Sequence, residues 1–307
     1  MSPTQATMKV TILGSNSALP AFGRNPSCQI VSVYGEDLML DCGEGAQLQL
    51  QRYGLRWRHI GHIYISHLHG DHYFGLPGLL NTMNLLGRTT PLHVYGPPPL
   101  EGILQQILGV ADTVLGFPYH FHPLPPGAAL LTDTPSFSVT CFPVEHRIDC
   151  HGFVVERKTK GRKLLPERCS QYNIPPSFFE RLKSGEDYVS PEGMVVKHEW
   201  VTEAGPSPRR YAYCADTLFT ESFLPWITGV DMLYHECTYL DADTEKAATR
   251  FHSTARQAAQ LARMAGAGRL LLGHFSSKYR DLEPFRTEAA EVFPDVYLAV
   301  EGTAYEI

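Results

Sequence analysis

Short apolar segments separated by turn residues characterise the beginning of the chain. Residues 8–13 are apolar and β-branched and end at Gly14, and two further apolar segments, 29–34 and 38–40, are separated by Gly35-Glu36-Asp37. Runs of this length bounded by turn residues are typical of β-strands. The pattern therefore predicts a sheet that starts with a hairpin.

Strand-like and helix-like segments continue to alternate further along. Residues 63–66 predict a strand that runs directly into a group of histidines, and the apolar residues of 75–86 favour a helix packed under a loop. Later segments predict strands at 210–214, 232–234 and 270–272 and a helix at 253–265. This alternation predicts an α/β layered sandwich.

Residues 156–208 differ in character from the rest, since they contain many charges, prolines and glycines and few long apolar runs. We interpret them as an excursion from the core of a domain that spans 8–307. Between Glu156 and Ser170, six basic residues outnumber two acidic ones. The basic residues are Arg157, Lys158, Lys160, Arg162, Lys163 and Arg168. Such a run is either a solvated face or a phosphate-binding surface.

Composition narrows the class of protein. The 307 residues, 43% of them hydrophobic, suffice for one large core or two smaller ones. The sequence shows neither an apolar run long enough for a membrane helix nor a signal peptide, so we expect a cytoplasmic protein without a membrane partner. The net charge of −6 argues against indiscriminate nucleic-acid binding but leaves a local basic patch open. The seven scattered cysteines include no C-x-x-C pair, which predicts buried thiols.

Three histidines and an aspartate lie within six positions directly after the strand predicted at 63–66. They are His67, His69, Asp71 and His72. The span is too short for a regular helix to place all four on one face, so a loop that wraps a metal pair suits them. Imidazole and carboxylate are the ligand types of hydrolytic zinc sites. The alternative is a set of unrelated loop residues.

Two metal ions need more ligands than one loop supplies. His146 follows the apolar residues 139–144, Asp216 follows 210–214, and His274 follows 270–273. We expect a parallel sheet to bring these three side chains to one edge. Each alone could equally be a hydrogen-bonded histidine or a helix-capping aspartate, but together with the first cluster they predict a two-metal site. For the remaining histidines outside the motifs we expect surface or core roles; they are His59, His62, His93, His120, His122, His151 and His198.

Longer motifs occur in order along nearly the whole chain. The sequence contains LDCGEGAQLQL at 40–50 and SHLHGDHYFGLPGLL at 66–80, and Pro20 precedes Arg24-Asn25-Pro26-Ser27. Further along come His235-Glu236-Cys237-Thr238 and His252-Ser253-Thr254. In order and spacing these motifs resemble the tRNase Z (ribonuclease Z) branch of the metallo-β-lactamase superfamily, the endonucleases that trim tRNA 3′ ends.

The resemblance implies a four-layer αββα sandwich with an inserted flexible arm, or exosite, at 156–208. It implies two Zn²⁺ ions per subunit, with Asp216 bridging them. One ion would be held by His67, His69 and His146, and the other by Asp71, His72 and His274. Asp71 would also accept a proton from the attacking hydroxide, and Glu236 would orient His252 to protonate the departing 3′ oxygen.

The activity implied is that of a zinc-dependent endoribonuclease that removes the 3′ trailer from tRNA precursors, leaving a 3′-hydroxyl on the tRNA and a 5′-phosphate on the trailer. The branch also implies a homodimer whose arm grips the tRNA elbow through basic residues. Those residues would be Arg157, Lys158, Lys160, Arg162 and Lys163. The alternatives are a two-metal phosphodiesterase acting on small or cyclic phosphodiesters and a catalytically idle RNA-binding protein.

Three segments depart from the pattern of the branch. Where bacterial arms have a Gly-Pro-rich tip, this chain has Asn173-Ile174-Pro175-Pro176-Ser177-Phe178-Phe179. Ala215 replaces the glycine of Gly-Asp-Thr, and Cys237 replaces the alanine of His-Glu-Ala-Thr. The departures therefore change the arm tip and two positions beside the site, and they leave every predicted metal ligand in place.

Overall fold

The computed structural model describes residues 8–110, 112–159 and 161–307. The chain divides into two compact units. One contains Arg157–Pro208, and the other contains the described residues up to Glu156 together with Arg209–Ile307. None of the helices in the described ranges has the length and hydropathy that a membrane span requires.

The larger unit is built on two seven-stranded sheets. In chain order the strands of the described residues are β1 (Met8–Gly14), β2 (Cys28–Val33), β3 (Glu36–Cys42), β4 (Ile60–Tyr64), β5 (Leu92–Gly96), β6 (Tyr119–Pro123), β7 (Ala129–Asp133), β8 (Phe137–Val144), β9 (Cys150–Arg157), β10 (Lys163–Leu164), β11 (Tyr188–Val189), β12 (Val195–Val196), β13 (Thr202–Glu203), β14 (Arg209–Cys214), β15 (Met232–Glu236), β16 (Leu270–Gly273), β17 (Val296–Leu298) and β18 (Ala304–Glu306).

Helices flank both sheets. In chain order the α-helices of the described residues are α1 (Ala46–Arg52), α2 (Gly70–Tyr73), α3 (Leu76–Leu85), α4 (Pro99–Gly109), α5 (Pro166–Gln171), α6 (Phe179–Lys183), α7 (His198–Val201), α8 (Leu224–Ile227), α9 (Thr244–Thr249), α10 (Ala255–Ala265) and α11 (Glu283–Ala290).

The first sheet has the strand order β18-β1-β2-β3-β4-β5-β6. Its predicted hairpin is confirmed, because β2 and β3 pair antiparallel with Val33 opposite Glu36. Tyr34 and Gly35 connect them with φ angles of 50° and 88°. Positive φ at both central residues is what a tight two-residue hairpin turn requires, and Gly35 adopts it without steric cost. Strands β3 to β6 then run parallel. The histidine motif directly follows the carboxyl end of β4.

The second sheet has the order β17-β16-β15-β14-β9-β8-β7, and it confirms the three strands predicted late in the chain. Strands β14 to β17 are parallel. Cys214 lies opposite His235, and Glu236 lies opposite Gly273. This register ends β14, β15 and β16 at one edge, so the residues that directly follow these strands emerge side by side.

Apolar side chains join the layers of this unit. One buried cluster contains residues of both sheets, such as Leu40 and Phe142, together with Leu261 of α10. A second cluster packs the other face of the first sheet against α1, α3 and α4. The layers are therefore helices, sheet, sheet and helices, which confirms the α/β sandwich. Helix α10 begins at the capping box formed by Thr254 and Gln257, close to its predicted start.

The smaller unit, which we call the arm, has its own apolar core. Strands β10 and β13 pair antiparallel, as do β11 and β12. Helices α5, α6 and α7 pack with them around a set of buried side chains. These side chains are Cys169, Ile174, Leu182, Tyr188, Val196 and Val201. The arm residues are therefore ordered by burial of apolar groups, although their sequence lacks long apolar runs.

Candidate metal centre

The histidine motif is part loop and part helix. His67 and His69 lie in the segment after β4, whereas Asp71 and His72 lie on α2, a single helical turn. The expectation of a continuous loop is therefore wrong in its second half. Close packing explains the glycines of the motif region: a Cβ atom on Gly43 would overlap the carbonyl oxygen of Asp71, and one on Gly70 would overlap the ring of Phe74.

Three histidines bring ring nitrogens to one point. Nδ1 of His69 lies 3.0 Å from Nε2 of His67 and 3.2 Å from Nε2 of His146. Oδ2 of Asp216 lies 3.7 Å from the same nitrogen of His67. Four atoms that can each donate a lone pair therefore face one another, in the described part of the chain, within the separations expected around a single metal ion.

A second group lies on the other side of Asp216. Oδ2 of Asp71 is 3.5 Å from Nε2 of His72 and 3.4 Å from Nε2 of His274. Oδ1 of Asp216 is 3.3 Å from Nε2 of His72 and 3.1 Å from Nε2 of His274. Asp216 thus directs one carboxylate oxygen at each group. All seven predicted ligand residues are brought together.

Unsatisfied polar atoms indicate that this site suits a cation. Nε2 of His72 and Oδ1 of Asp216 are buried and have no hydrogen-bond partner. Burial lowers the pKa of His72, but the carboxylates of Asp216, Asp71 and Asp41 outweigh burial and raise that pKa well above its usual value. The negative charge of the site therefore attracts a positive charge to the point where these orphaned atoms meet, as metal ligands require.

Hydrogen bonds favour one tautomer in four of the predicted ligand histidines. Nδ1 of His72 donates to Oδ2 of Asp41 at 2.7 Å, and Nδ1 of His146 donates to the carbonyl oxygen of Phe251 at 3.0 Å. We call the ring nitrogen that points away from the predicted metal position the outward nitrogen and the other one the inward nitrogen. In the other two rings the outward nitrogen is Nδ1 and meets a hydroxyl oxygen: that of His67 meets Ser66 Oγ at 3.0 Å, and that of His274 meets Thr238 Oγ1 at 3.0 Å. A proton on each outward nitrogen leaves the inward nitrogen with a free lone pair.

Asp41 is the functional residue that the sequence interpretation missed. Its carboxylate accepts hydrogen bonds from the Ser66 backbone N–H at 2.7 Å, from Ser66 Oγ at 2.9 Å and from the hydroxyl of Tyr213 at 2.6 Å, besides the bond from His72. Asp41 is fully buried and has a φ of 55°. One feature of the sequence could have indicated Asp41: it is a carboxylate at the end of an apolar strand. A carboxylate buried in such a position needs hydrogen-bond donors around it.

A loop near the start of the chain also supports the site. The backbone N–H of Ala18 donates to Oδ2 of Asp71 at 2.7 Å. Glu301 anchors this loop, because Oε1 accepts from the backbone N–H of Asn25 at 2.5 Å and Oε2 accepts from Nδ2 of Asn25 at 2.8 Å. Gln49 of α1 donates to the same carboxylate at 2.7 Å. The Arg24-Asn25-Pro26-Ser27 motif thus lies in a loop that supports Asp71, one of the predicted ligands.

Glu236 and His252 form a buried ion pair beside the metal ligands. Oε1 of Glu236 lies 2.9 Å from Nδ1 of His252. Backbone N–H groups of Thr217, Thr238 and Ser253 also donate to this carboxylate. Burial lowers the pKa of His252, but Glu236 outweighs it and raises that pKa to about 9. His252 also has a ring nitrogen within 4.8 Å of ligand atoms of Asp216 and His274. The dyad can therefore supply a proton at the edge of the metal centre.

Curated proteins named ribonuclease Z match this chain over nearly its whole length. That of Parabacteroides distasonis is 40% identical over 298 residues, which cover 97% of this chain and 98% of the relative. That of Cytophaga hutchinsonii is 47% identical over 303 residues, which cover 96% of this chain and 95% of the relative. The chain belongs to the ribonuclease Z family.

Solved structures show the same fold. The short form of human tRNase Z superimposes with a TM-score of 0.71 at 29% identity, covering 97% of this chain and 98% of that one. A Bacillus subtilis protein of the metallo-β-lactamase fold superimposes with a TM-score of 0.70 at 21% identity, covering 99% and 100%. A family model described as anti-Pycsar protein Apyc1 matches residues 8–118. The predicted metallo-β-lactamase fold is confirmed.

The route by which His146 reaches the centre of this ribonuclease Z family member differs from our expectation. His146 follows β8, which pairs antiparallel with β7, so it does not come from the parallel part of the sheet. Asp216 and His274 follow the parallel strands β14 and β16, as expected. A strand of either direction can end at the ligand edge, and the apolar pattern of a single strand does not reveal the direction of its neighbours.

The arm residues predicted to bind tRNA have unequal exposure. Arg157 is only 4% exposed, and its Nη2 donates to the carbonyl oxygen of Ser207 at 2.5 Å. Arg162 is half-buried and donates to Oγ1 of Thr202 at 2.6 Å. Lys158 is half-buried and Lys163 is exposed, whereas Lys160 lies outside the described residues. Among the four predicted tRNA-binding residues that the structure describes, Lys163 is therefore the most accessible to a phosphate group.

Proposed function

We propose that this chain is a zinc-dependent endoribonuclease that removes the 3′ trailer from tRNA precursors. The cut leaves a 3′-hydroxyl on the tRNA and a 5′-phosphate on the trailer. The observation that carries this proposal is the pair of ligand groups joined by Asp216 in a member of the ribonuclease Z family. The proposed substrate follows from the family and from the similarity to the human neighbour, a tRNase Z.

The proposal places two zinc ions in each subunit. His67, His69 and His146 would hold one, Asp71, His72 and His274 the other, and Asp216 both. Imidazole nitrogens and carboxylate oxygens are ligands that zinc accepts. The tautomers of the histidines and the buried atoms that lack a hydrogen-bond partner support the proposal. When bound, a metal pair of this kind supplies Lewis acidity toward the phosphate and lowers the pKa of water at the site.

The protein's own groups would manage two protons. Asp71 lies between His72 and His274, and its carboxylate would accept a proton from the attacking water. His252 would donate a proton to the departing 3′ oxygen, which would otherwise leave as an unstable alkoxide. Glu236 keeps His252 charged at neutral pH, because the carboxylate raises the pKa of the imidazole above its usual value.

Recognition of the substrate would come from the arm. A tRNA is recognised chiefly through its folded shape and its phosphates, for which basic side chains are suited. We propose that Lys163 contacts phosphate directly and that Lys158, Lys160 and Arg162 add positive charge, while the buried Arg157 acts mainly within the arm. We further propose a cytoplasmic homodimer, which rests on the family resemblance.

One experiment separates this activity from phosphodiester hydrolysis in general. Purified protein is incubated with a 3′-extended tRNA precursor and, separately, with a small chromogenic diester. A second protein lacks 157–208; Glu156 and Arg210 lie within ion-pair distance at 3.9 Å, so a short Gly-Ser linker can join the ends. We expect the deletion to abolish precursor cleavage and retain diester hydrolysis.

Two results would count against the proposal. If the intact protein ignores the precursor yet hydrolyses the small diester rapidly, the tRNA assignment fails. If the deleted protein still cleaves the precursor at the wild-type rate, the arm has no part in recognition. Metal analysis of both proteins is the control, because the deletion removes none of the seven ligand residues.

A further inference from the structure

Arg147 lies at the rim of the metal centre, directly after the ligand residue His146. Its side chain is exposed, and its Nη2 lies 3.0 Å from Nε2 of His69. Among the described residues, Arg147 interacts with His69 alone, so no carboxylate neutralises its charge. A permanent positive charge without an acidic partner therefore stands next to the ligand group.

The outward nitrogen of His69 differs from those of the other ligand histidines. In His67, His72, His146 and His274 that nitrogen meets an oxygen that can accept a hydrogen bond. In His69 it meets a guanidinium, which only donates. Arg147 therefore does not hold His69 in the tautomer that a ligand needs.

If His69 binds a metal ion through Nδ1, Arg147 loses Nε2 of His69 as its hydrogen-bond acceptor. Nδ1 of His69 is the inward nitrogen, 3.0 Å from Nε2 of His67. A neutral imidazole that uses Nδ1 as a ligand carries its proton on Nε2, and that N–H faces the N–H groups of Arg147. Two donors form no hydrogen bond, so the exposed guanidinium is free to donate to an acceptor from outside the protein.

We infer that Arg147 binds a phosphate group of the RNA that flanks the scissile phosphate. This inference rests on the proposed function. A planar guanidinium suits phosphate, because two of its N–H groups can donate to two oxygens at once. Arg147 would thereby fix the RNA 3′ region against the metal centre independently of the arm.

Binding of the metal-loaded protein to a 3′-extended precursor tests the inference. A His252→Ala background slows cleavage, so that fluorescence anisotropy can follow binding at several salt concentrations. Addition of Arg147→Gln should weaken binding about tenfold, as the loss of one charge-assisted contact does. It should also reduce the slope of log K against log salt by roughly 0.7, the value for one phosphate of a single strand. Arg147→Lys should recover part of the affinity.

Arg263 provides a matched control. It is exposed and lies in the last turn of α10, a helix whose other end begins beside His252. At about 1.5 Å per residue the 11 residues of α10 separate its ends by roughly 15 Å. Arg263→Gln therefore removes one surface charge far from the ligands and should leave the affinity and the salt slope unchanged.

A series of precursors with a neutral methylphosphonate at single positions identifies the phosphate. If Arg147 contacts one of them, that substitution weakens binding to the parent protein but has no further effect on the Arg147→Gln protein. Equal additional losses in both proteins at every position would overturn the inference. So would a loss of bound metal in Arg147→Gln, since Arg147 would then be supporting His69.

The outcomes distinguish this inference from the proposed function. If the wild-type protein cleaves the precursor and Arg147→Gln behaves like Arg263→Gln, the inference fails while the function stands. If the wild-type protein neither binds nor cleaves the precursor, the proposed function fails, and the role of Arg147 fails with it.

Discussion

Oδ2 of Asp41 lies 2.7 Å from Nδ1 of His72, on the side of the ring opposite the nitrogen that faces Asp71 and Asp216. A carboxylate in this position fixes the proton on Nδ1 and holds the ring in one orientation. The same carboxylate accepts from Ser66, which directly precedes His67. Asp41 therefore aligns a residue from each of the two ligand groups, although it can reach neither metal position itself.

Replacement of Asp41 by asparagine should weaken metal binding by roughly 10- to 100-fold. The amide nitrogen of asparagine would face donors that the carboxylate now accepts from, including the hydroxyl of Tyr213. Titration of metal against a competing chelator measures the effect. Tyr213→Phe is the control, because it removes a single donor and should change the affinity much less. Wild-type affinity in Asp41→Asn would show that the ligands are held without it.

Metal stoichiometry tests whether the two ligand groups are separate. We expect about two ions per chain in the wild type, by the two-group arrangement. His146→Ala and His274→Ala should each retain one ion, because each variant leaves the opposite group intact. Asp216→Ala should lower the affinity of both positions, since its two oxygens face different groups. Elemental analysis after gel filtration provides the count; loss of both ions from His274→Ala alone would indicate a single coupled site.

His252→Ala should slow precursor cleavage about 10²- to 10⁴-fold, the range expected for loss of a general acid. Metal content should remain near that of the wild type. A large loss of metal would instead make His252 a ligand, as its position near Asp216 and His274 permits. Single-turnover cleavage and elemental analysis of the same sample separate these roles.

The dyad also predicts a pH dependence. The pKa of His252 is about 9 in the folded protein, so its acid form persists at neutral pH and cleavage should decline above about pH 9. Glu236→Gln removes the carboxylate that raises this pKa, and the decline should move to lower pH. The ion pair also stabilises the fold fully below about pH 6.5, and that contribution is lost as pH rises through 9. An unchanged alkaline decline in Glu236→Gln would exclude His252 as its source.

A row of histidines outside the metal centre predicts acid sensitivity. His62, His93 and His120 lie opposite one another on β4, β5 and β6, with ring centroids 5.1 and 4.9 Å apart. Burial, followed by the charges of His93 and His122, lowers the pKa of His62 to about 4. Between pH 6.5 and 4 the unfolded chain therefore binds a proton at His62 that the folded chain does not, and stability falls as pH falls.

His62→Phe should remove this acid sensitivity while keeping the ring stacked on His93 and in edge contact with Phe137. Urea unfolding at pH 7 and pH 5 measures it. The wild type should lose about 1–2 kcal/mol more than the variant between these values, an upper range because His62 is only half-buried. An equal loss in both proteins would mean that His62 is not the group responsible.

Local sequence was sufficient for the strands that deliver ligands, because each is a short apolar run that ends at a polar residue of ligand type. It was insufficient where three-dimensional neighbours decide the outcome. The helical turn at Asp71 depends on close packing against Gly43, and the direction of β8 depends on its partner strand. The histidine row depends on the register of three strands that lie far apart in sequence.

The comparison of Asp41 with His252 shows that the chemical role of a residue is also only partly predictable from the sequence. His252 lies in a motif on which the family resemblance rests, so a role for it could be proposed from the sequence. Asp41 lies near the end of β3 in the motif at 40–50, but the motif alone assigns no role to this carboxylate, and only the folded chain shows four donors directed at it. Residues that act through a neighbour leave little trace in a single sequence.

Asp216 and His274, which complete the ligand groups, come from the last third of the chain. A polypeptide leaving the ribosome presents His67 to His72 early, but it lacks Asp216 until residue 216 of 307 is made and lacks His274 for longer still. Because the predicted ligands lie on distant segments, the growing chain cannot assemble both ligand groups before His274 has been synthesised.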